Sequence, residues 1–150
     1  MYCRQLTHKD YKEFYTLSYK SFVERKEIGI DFDKVNFNLQ VKNVLVNEQH
    51  HVEGLFENDI LVGMAIVMFD TIPFSNEPIA TFDIVHTDVG HRNIECYQLL
   101  LNSIFEVINK QNIKKSVLNS NNLLLEYNQK SLLLRRNKFL NMSSNWEKSF

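Results

Sequence analysis

Four glycines and two prolines in 150 residues are a small supply of the residues that reverse a chain easily. Most turns must then be built from residues that carry a Cβ, and so must any backbone that closely approaches a ligand. The apolar content, 44% with 12% aromatic, is enough to oppose the entropy of ordering and excludes a disordered chain. At this length the expectation is one domain spanning 1–150.

Hydrophobic periodicity divides that domain into elements. Arg4 to Leu6 reads as a short strand, and Thr7 with Asp10 has the spacing of a capping box before a helix carrying Tyr11, Phe14, Leu17 and Phe22 through Arg25. Gly29 breaks the pattern, and a second helix runs from Asp33 to Asn47. Two strands follow, around Val52 to Phe56 and Ile60 to Phe69, joined by the polar turn Glu57-Asn58-Asp59. Thr71 to Pro78 holds both prolines and reads as a loop into a strand from Ile79 to His86. Ile94, Tyr97, Leu101, Ile104, Phe105 and Ile108 then share one helical face. A strand at Lys114 to Asn119, a helix capped by Asn121 or Asn122 and ending near Arg136, and closing strands at Phe139 to Met142 and Trp146 to Phe150 complete the order.

The 17 Lys plus Arg balance 18 Asp plus Glu, a formal charge of -1, which removes the motive for general nucleic-acid binding. No stretch approaches the roughly 20 apolar residues of a membrane span. Cys3 and Cys96 lie far apart without metal or redox spacing and read as buried thiols in a reducing compartment, so the expected location is the cytoplasm. No His, Asp, Glu or Cys set has metal-ligand spacing, and no metal is expected.

The element order, at this length, resembles the GNAT superfamily of acetyl-CoA-dependent N-acetyltransferases over nearly the whole chain. Three segments carry the likeness. Leu61-Val62-Gly63, within His51 to Met68, is similar to the meander of that family. Val85-His86-Thr87-Asp88-Val89 before a long amphipathic helix resembles its exit from the central strand into the cofactor loop, and Leu133 to Phe139 resembles the segment "Leu, Tyr, x, x, x, Gly, Phe" that closes its last helix. The resemblance implies an α+β domain in α/β/α layers, with a mixed, mostly antiparallel central sheet flanked by about four helices. Glu24 to Ile30 with Phe32, Asp33 and Val35 also looks like small acetyltransferase-like proteins carried by bacteriophages.

Acetyl-CoA is the cofactor this resemblance implies, held at its pyrophosphate by backbone N–H groups where a helix begins. The corresponding stretch is Gly90-His91-Arg92-Asn93-Ile94-Glu95, and with Val85 it supplies the candidate cofactor residues Val85, Gly90, His91, Arg92, Asn93 and Ile94. Asn93 and Glu95 stand where the family has glycine or alanine. Asn tolerates positive φ, so Asn93 can replace glycine geometrically, whereas Glu95 puts a carboxylate at the phosphate end and otherwise serves the helix dipole.

The family's acid is a tyrosine, and aligning on Phe139 puts Leu134 there, with Lys138 in place of glycine. Tyr127 is the remaining candidate acid, on the order of 10 Å away along the helix at 1.5 Å per residue, and otherwise reads as a packed aromatic. Asp83 is the candidate base; as a carboxylate in an apolar strand it must be paired or have a raised pKa. Period-2 geometry puts Asp83 and His86 on opposite faces of that strand.

The loss of loop glycines together with the tyrosine favours a GNAT-like module without catalysis, a pseudoenzyme held by protein partners in an assembly such as a phage virion. The alternative is an acetyl-CoA-dependent N-acetyltransferase acting on a small amine or a protein amino group.

Overall fold

The computed structural model describes residues 1–25, 31–142 and 145–150. The helix break expected at Gly29 lies outside them, as does most of the phage-like segment, Lys26 to Ile30. Seven strands form one sheet in the order β1-β2-β3-β4-β5-β7-β6. They are β1 (Tyr2–Gln5), β2 (His50–Glu57), β3 (Ile60–Thr71), β4 (Pro78–Thr87), β5 (Lys115–Asn119), β6 (Leu140–Met142) and β7 (Asn145–Ser149). Every neighbouring pair is antiparallel except β4 with β5, which needs a crossover and has one in α3 (Ile94–Lys110).

The expected layers are present. On one face α1 (Tyr11–Glu24) and α2 (Lys34–Val46) bury Phe14, Leu17 and Val41 against Val52, Met64 and Ile66. On the other, α3 and α4 (Tyr127–Arg136) bury Tyr97, Leu100, Leu101, Ile104 and Leu133 against Leu55, Ala65, Val85 and Leu118. Four of these α3 residues are fully enclosed, and each such side chain contributes on the order of 1.5–3 kcal/mol of transfer free energy. Thr7 caps the 3-10 turn His8–Asp10 that leads into α1, at the spacing the sequence shows, and Asp33 caps α2. Thr7 accepts from the Lys9 N–H at 3.3 Å while its own N–H donates to Asp10 at 2.9 Å, and Asp33 accepts from the Asn36 N–H at 3.0 Å.

The last helix starts later than Asn121 or Asn122 would place it. Those residues form a 3-10 turn, Ser120–Asn122, and α4 begins at Tyr127 after Glu126. Asn119 is the capping residue of that turn, accepting from the Asn121 N–H at 2.9 Å.

The shortage of glycine is met by other residues. Asn58 (φ 49°) and Asp59 (φ 63°) make the two-residue hairpin between β2 and β3. Lys138 (φ 61°) ends α4, where the Lys138 N–H donates to Arg135 O and the Phe139 N–H to Leu134 O, the paired bonds of a Schellman motif. Gly54, Gly63 and Gly90 all lie outside the left-handed region. Gly54 is required for another reason: a Cβ there would lie 2.5 Å from Leu6 Cδ2 and 2.8 Å from Leu61 Cδ1.

One irregularity shapes the site. Ile66 pairs with Ile84 but Val67 pairs with Phe82, so Asp83 is the extra residue of a bulge in β4. The bulge overturns the expectation of opposite faces. Asp83 looks toward α1 and α2, and His86 pairs with Met64, a member of the core on that same side.

Candidate functional site

A cavity of about 650 Å³ opens between α1, α2 and the centre of the sheet. Phe14 and Phe22 from α1, Phe37 from α2 and Phe32 just ahead of α2 supply aromatic walls, and Phe22, Phe32 and Phe37 pack on one another in tilted contacts with ring centroids 5.3–5.9 Å apart. Polar groups enter from several elements: Ser18, Ser21 and Arg25 from the α1 face, Asp31 and Asp33 ahead of α2, and Asp83 from the bulge. Asp33 is occupied as the α2 cap.

Asp83 is not buried as the strand pattern suggested. The bulge turns its side chain out into the cavity, where it keeps access to solvent, and the surrounding walls raise its pKa above the ordinary carboxylate value. His86, four residues before Gly90, is fully enclosed. Burial first, then the positive charges of Arg25 and Arg92, hold its pKa at about 4, with Asp88 opposing. Asp83 and His86 share a face, yet neither contributes to the other's titration.

Beyond the cavity the sheet opens. β4 and β5 pair from Ile79 and Lys115 only as far as Phe82 and Leu118, while β4 continues to Thr87. Side chains fill the divergence. Asn122 Nδ2 donates to Phe82 O at 3.0 Å, and Arg25 Nη2 donates to Val85 O and to Asn122 O, each at 2.7 Å. Behind them, the Leu124 N–H donates to the hydroxyl of buried Tyr97 at 3.2 Å.

The candidate cofactor loop follows β4. Asp88 pairs with Lys20 at 3.0 Å, His91 Nε2 with Glu57 at 2.9 Å, and Arg92 with Glu24. Asn93 caps α3 by accepting from the Cys96 N–H at 2.9 Å. Its φ is -138°, an extended conformation, so it does not reproduce the left-handed glycine anticipated from the sequence. Gly90 has open space where a Cβ would stand. Ile94 is half-buried against the α3 core, and Glu95 is exposed in the first turn of the helix.

Acetyl-CoA, the cofactor implied by the fold, can be tested against these residues. An anion at the start of α3 needs free N–H donors and positive charge. Here the Cys96 N–H is taken by Asn93, Arg92 faces Glu24, the His91 ring is bonded to Glu57, and Glu95 adds a negative charge. On β4, Val85 O is already bonded to Arg25. Leu134, where the family's tyrosine would stand, is packed in the core. Tyr127 is 80% exposed at the start of α4 and belongs neither to the cavity nor to a packed cluster. In this conformation the residues present do not fit the cofactor.

The sequence assigns Arg25, Asn122 and Tyr97 no site role, only places at a helix end, as a helix cap and on the apolar face of α3. Tyr97 carries a signal of such a role, as a polar-tipped aromatic at a core position of α3.

The comparison with solved proteins defines the class of fold. An acetyltransferase of the GNAT family from Staphylococcus aureus Mu50 superposes with a TM-score of 0.71 over 98% of this chain and 97% of that one, at 14% identity. A predicted acetyltransferase from Clostridium acetobutylicum, solved with acetyl-CoA, gives 0.72 over 94% and 90%, at 17% identity. An aminoglycoside acetyltransferase from an uncultured soil metagenome, solved with trehalose, gives 0.66 over 91% and 84%, at 10% identity. No family model matches the sequence. No curated protein matches it. The chain thus has the GNAT acetyltransferase fold over 91–98% of its length, and identities this low speak for the fold alone. Among the described residues no helix is long and apolar enough to cross a membrane.

Proposed function

We propose that this chain recognises a small organic amine in the cavity between α1, α2 and β4, and that it does so on an acetyltransferase framework whose donor side is shut in this conformation. Binding, not acetyl transfer, is then its activity as described. The observation that carries the reading is the lining of the cavity: Asp31 and Asp83 stand with Phe22, Phe32 and Phe37 in one space of about 650 Å³, a volume usual for small-molecule sites. A carboxylate and aromatic faces are the two groups that recognise an alkylammonium ion, by charge-assisted hydrogen bonding and by cation–π attraction. Among the described residues of the lining, carboxylates outnumber the cation Arg25, whose guanidinium is turned toward the divergence of the sheet.

Calorimetric titration of the purified chain with an arylalkylamine, a polyamine and an aminoglycoside, each beside its hydroxyl analogue, tests this. One amine should bind at least about tenfold tighter than its analogue, and Asp83→Asn should remove about that factor, roughly 1.4 kcal/mol. Because the pKa of Asp83 is raised, affinity should also fall as pH drops through that value and the carboxyl loses its charge. Equal affinities for amines and alcohols, unchanged by Asp83→Asn, would refute the reading.

A second reading, acetyl-CoA-dependent N-acetylation of the same amine, is favoured by Asp83 in particular. A carboxylate with a raised pKa beside an amine site is the kind of group that accepts a proton from an ammonium ion. Its test is thiol release from acetyl-CoA in the presence of the amines: release above the amine-free blank establishes transfer, and its absence leaves the binding reading.

A further inference from the structure

The divergence of β4 from β5 exposes strand backbone in the middle of the sheet. Among the described residues no strand pairs with β4 beyond Phe82 on that side, since the chain after Asn119 turns away through Ser120–Asn122. Buried backbone carbonyls must find donors. An opened strand edge is also a template for any extended ligand that carries amides, and the pantetheine arm of an acyl-thioester is such a ligand.

Here the chain occupies that edge itself. Arg25, one residue past α1, reaches Val85 O and Asn122 O through Nη2 and Asn122 Oδ1 through Nη1 at 3.3 Å. Asn122 in turn holds Phe82 O. All three acceptors of Arg25 are neutral oxygens, and bonds from a guanidinium to neutral oxygens are weaker than those to a carboxylate. The arrangement is also incomplete. Arg25 Nε, Ser21 Oγ, Thr87 Oγ1 and both ring nitrogens of His86 are buried without a protein partner among the described residues. Burial pulls the pKa of Arg25 below its ordinary value, with Tyr97 and Glu24 opposing and Arg92 adding a smaller like-charge repulsion.

The geometry points to Arg25 as a displaceable plug: with Asn122 it closes the divergence of β4 from β5, and an acyl-pantetheine arm enters only when the guanidinium leaves. Arg25 lines the amine cavity as well as the divergence, so this one side chain forms the partition between the two spaces. The inference stands apart from the amine reading, because its test contains no amine.

The test uses S-acetylpantetheine, which lacks the phosphates that the α3 loop receives poorly, titrated into the wild-type chain, Arg25→Ala and Asn122→Ala and followed by calorimetry and thermal shift. Both variants should bind at least about tenfold more tightly than wild type. Loss of a purely structural contact lowers the melting temperature and creates no affinity, so the gain in binding separates the two roles. If Arg25→Ala does not fold, Asn122→Ala and Arg25→Lys, which lacks the planar fork, decide the matter. Equal affinity in wild type and variants, or no binding in any folded variant, overturns the inference.

Discussion

Replacing His86 with Gln should remove a pH dependence that the native chain carries in its folding. His86 is fully enclosed on β4 opposite Met64. Around it stand Lys20 and Arg25 from the α1 side and Asp88 and Arg92 from the loop. The three cations and the loss of water all disfavour an imidazolium, and its pKa falls to about 4 from an ordinary 6.5. Between those values the unfolded chain holds a proton that the folded chain does not, so stability rises with pH across the window. It is fully present above about 6.5 and is lost as pH falls toward 4. At about 1.4 kcal/mol per pH unit the whole interval amounts to roughly 3 kcal/mol, a large part of the 5–15 kcal/mol typical of a domain. Urea unfolding followed by circular dichroism, from about pH 7.5 down to about 4.5, measures this for both chains. The wild-type curve should lose about 2–3 kcal/mol relative to His86→Gln over that range. The new side chain also changes the absolute stability, so only the change of the difference with pH carries the result. A difference that stays flat would mean that the imidazole is charged or hydrated in the folded chain, and the account of this buried cluster would fail.

Two backbone predictions follow from the way the chain manages without glycine. Gly54→Ala should cost about 1–3 kcal/mol by overpacking, because the new Cβ meets Leu6, Leu61 and Phe56 at 2.5–2.9 Å; Gly90→Ala, in open space, is the control, and an unchanged urea midpoint for Gly54→Ala would refute the packing argument. Lys138→Gly should raise stability by up to about 1 kcal/mol, since Lys138 holds a left-handed φ of 61° at the end of α4, and a lower melting temperature than wild type would contradict it.

How far the sequence reveals this molecule depends on the range of the interactions involved. The amphipathic stripe of α3, the Thr7 cap and the Asn58-Asp59 turn are decided within a few residues, and each is readable from spacing. Lys138 is legible by a different route: the resemblance places it where the family has glycine, and its positive φ is the physical counterpart of that position. The bulge at Asp83 is not legible, because counting by twos along β4 presumes an unbroken ladder, and one extra residue moves Asp83 to the face of His86. Asn121 and Asn122 are good capping residues in isolation, yet the divergence of β5 from β4 draws Asn122 to Phe82 O, 40 positions earlier, and the helix starts later. Arg25 is the extreme case. As an arginine at the end of an amphipathic helix it has the pattern of a solvated surface residue, and what defines it are carbonyls 60 and 97 positions away. Asn93 and Glu95 stand out only against the resemblance, and Arg25, whose bonds to Val85 O and Asn122 O span the divergence of β4 from β5, leaves no local trace; only the tertiary contact reveals it.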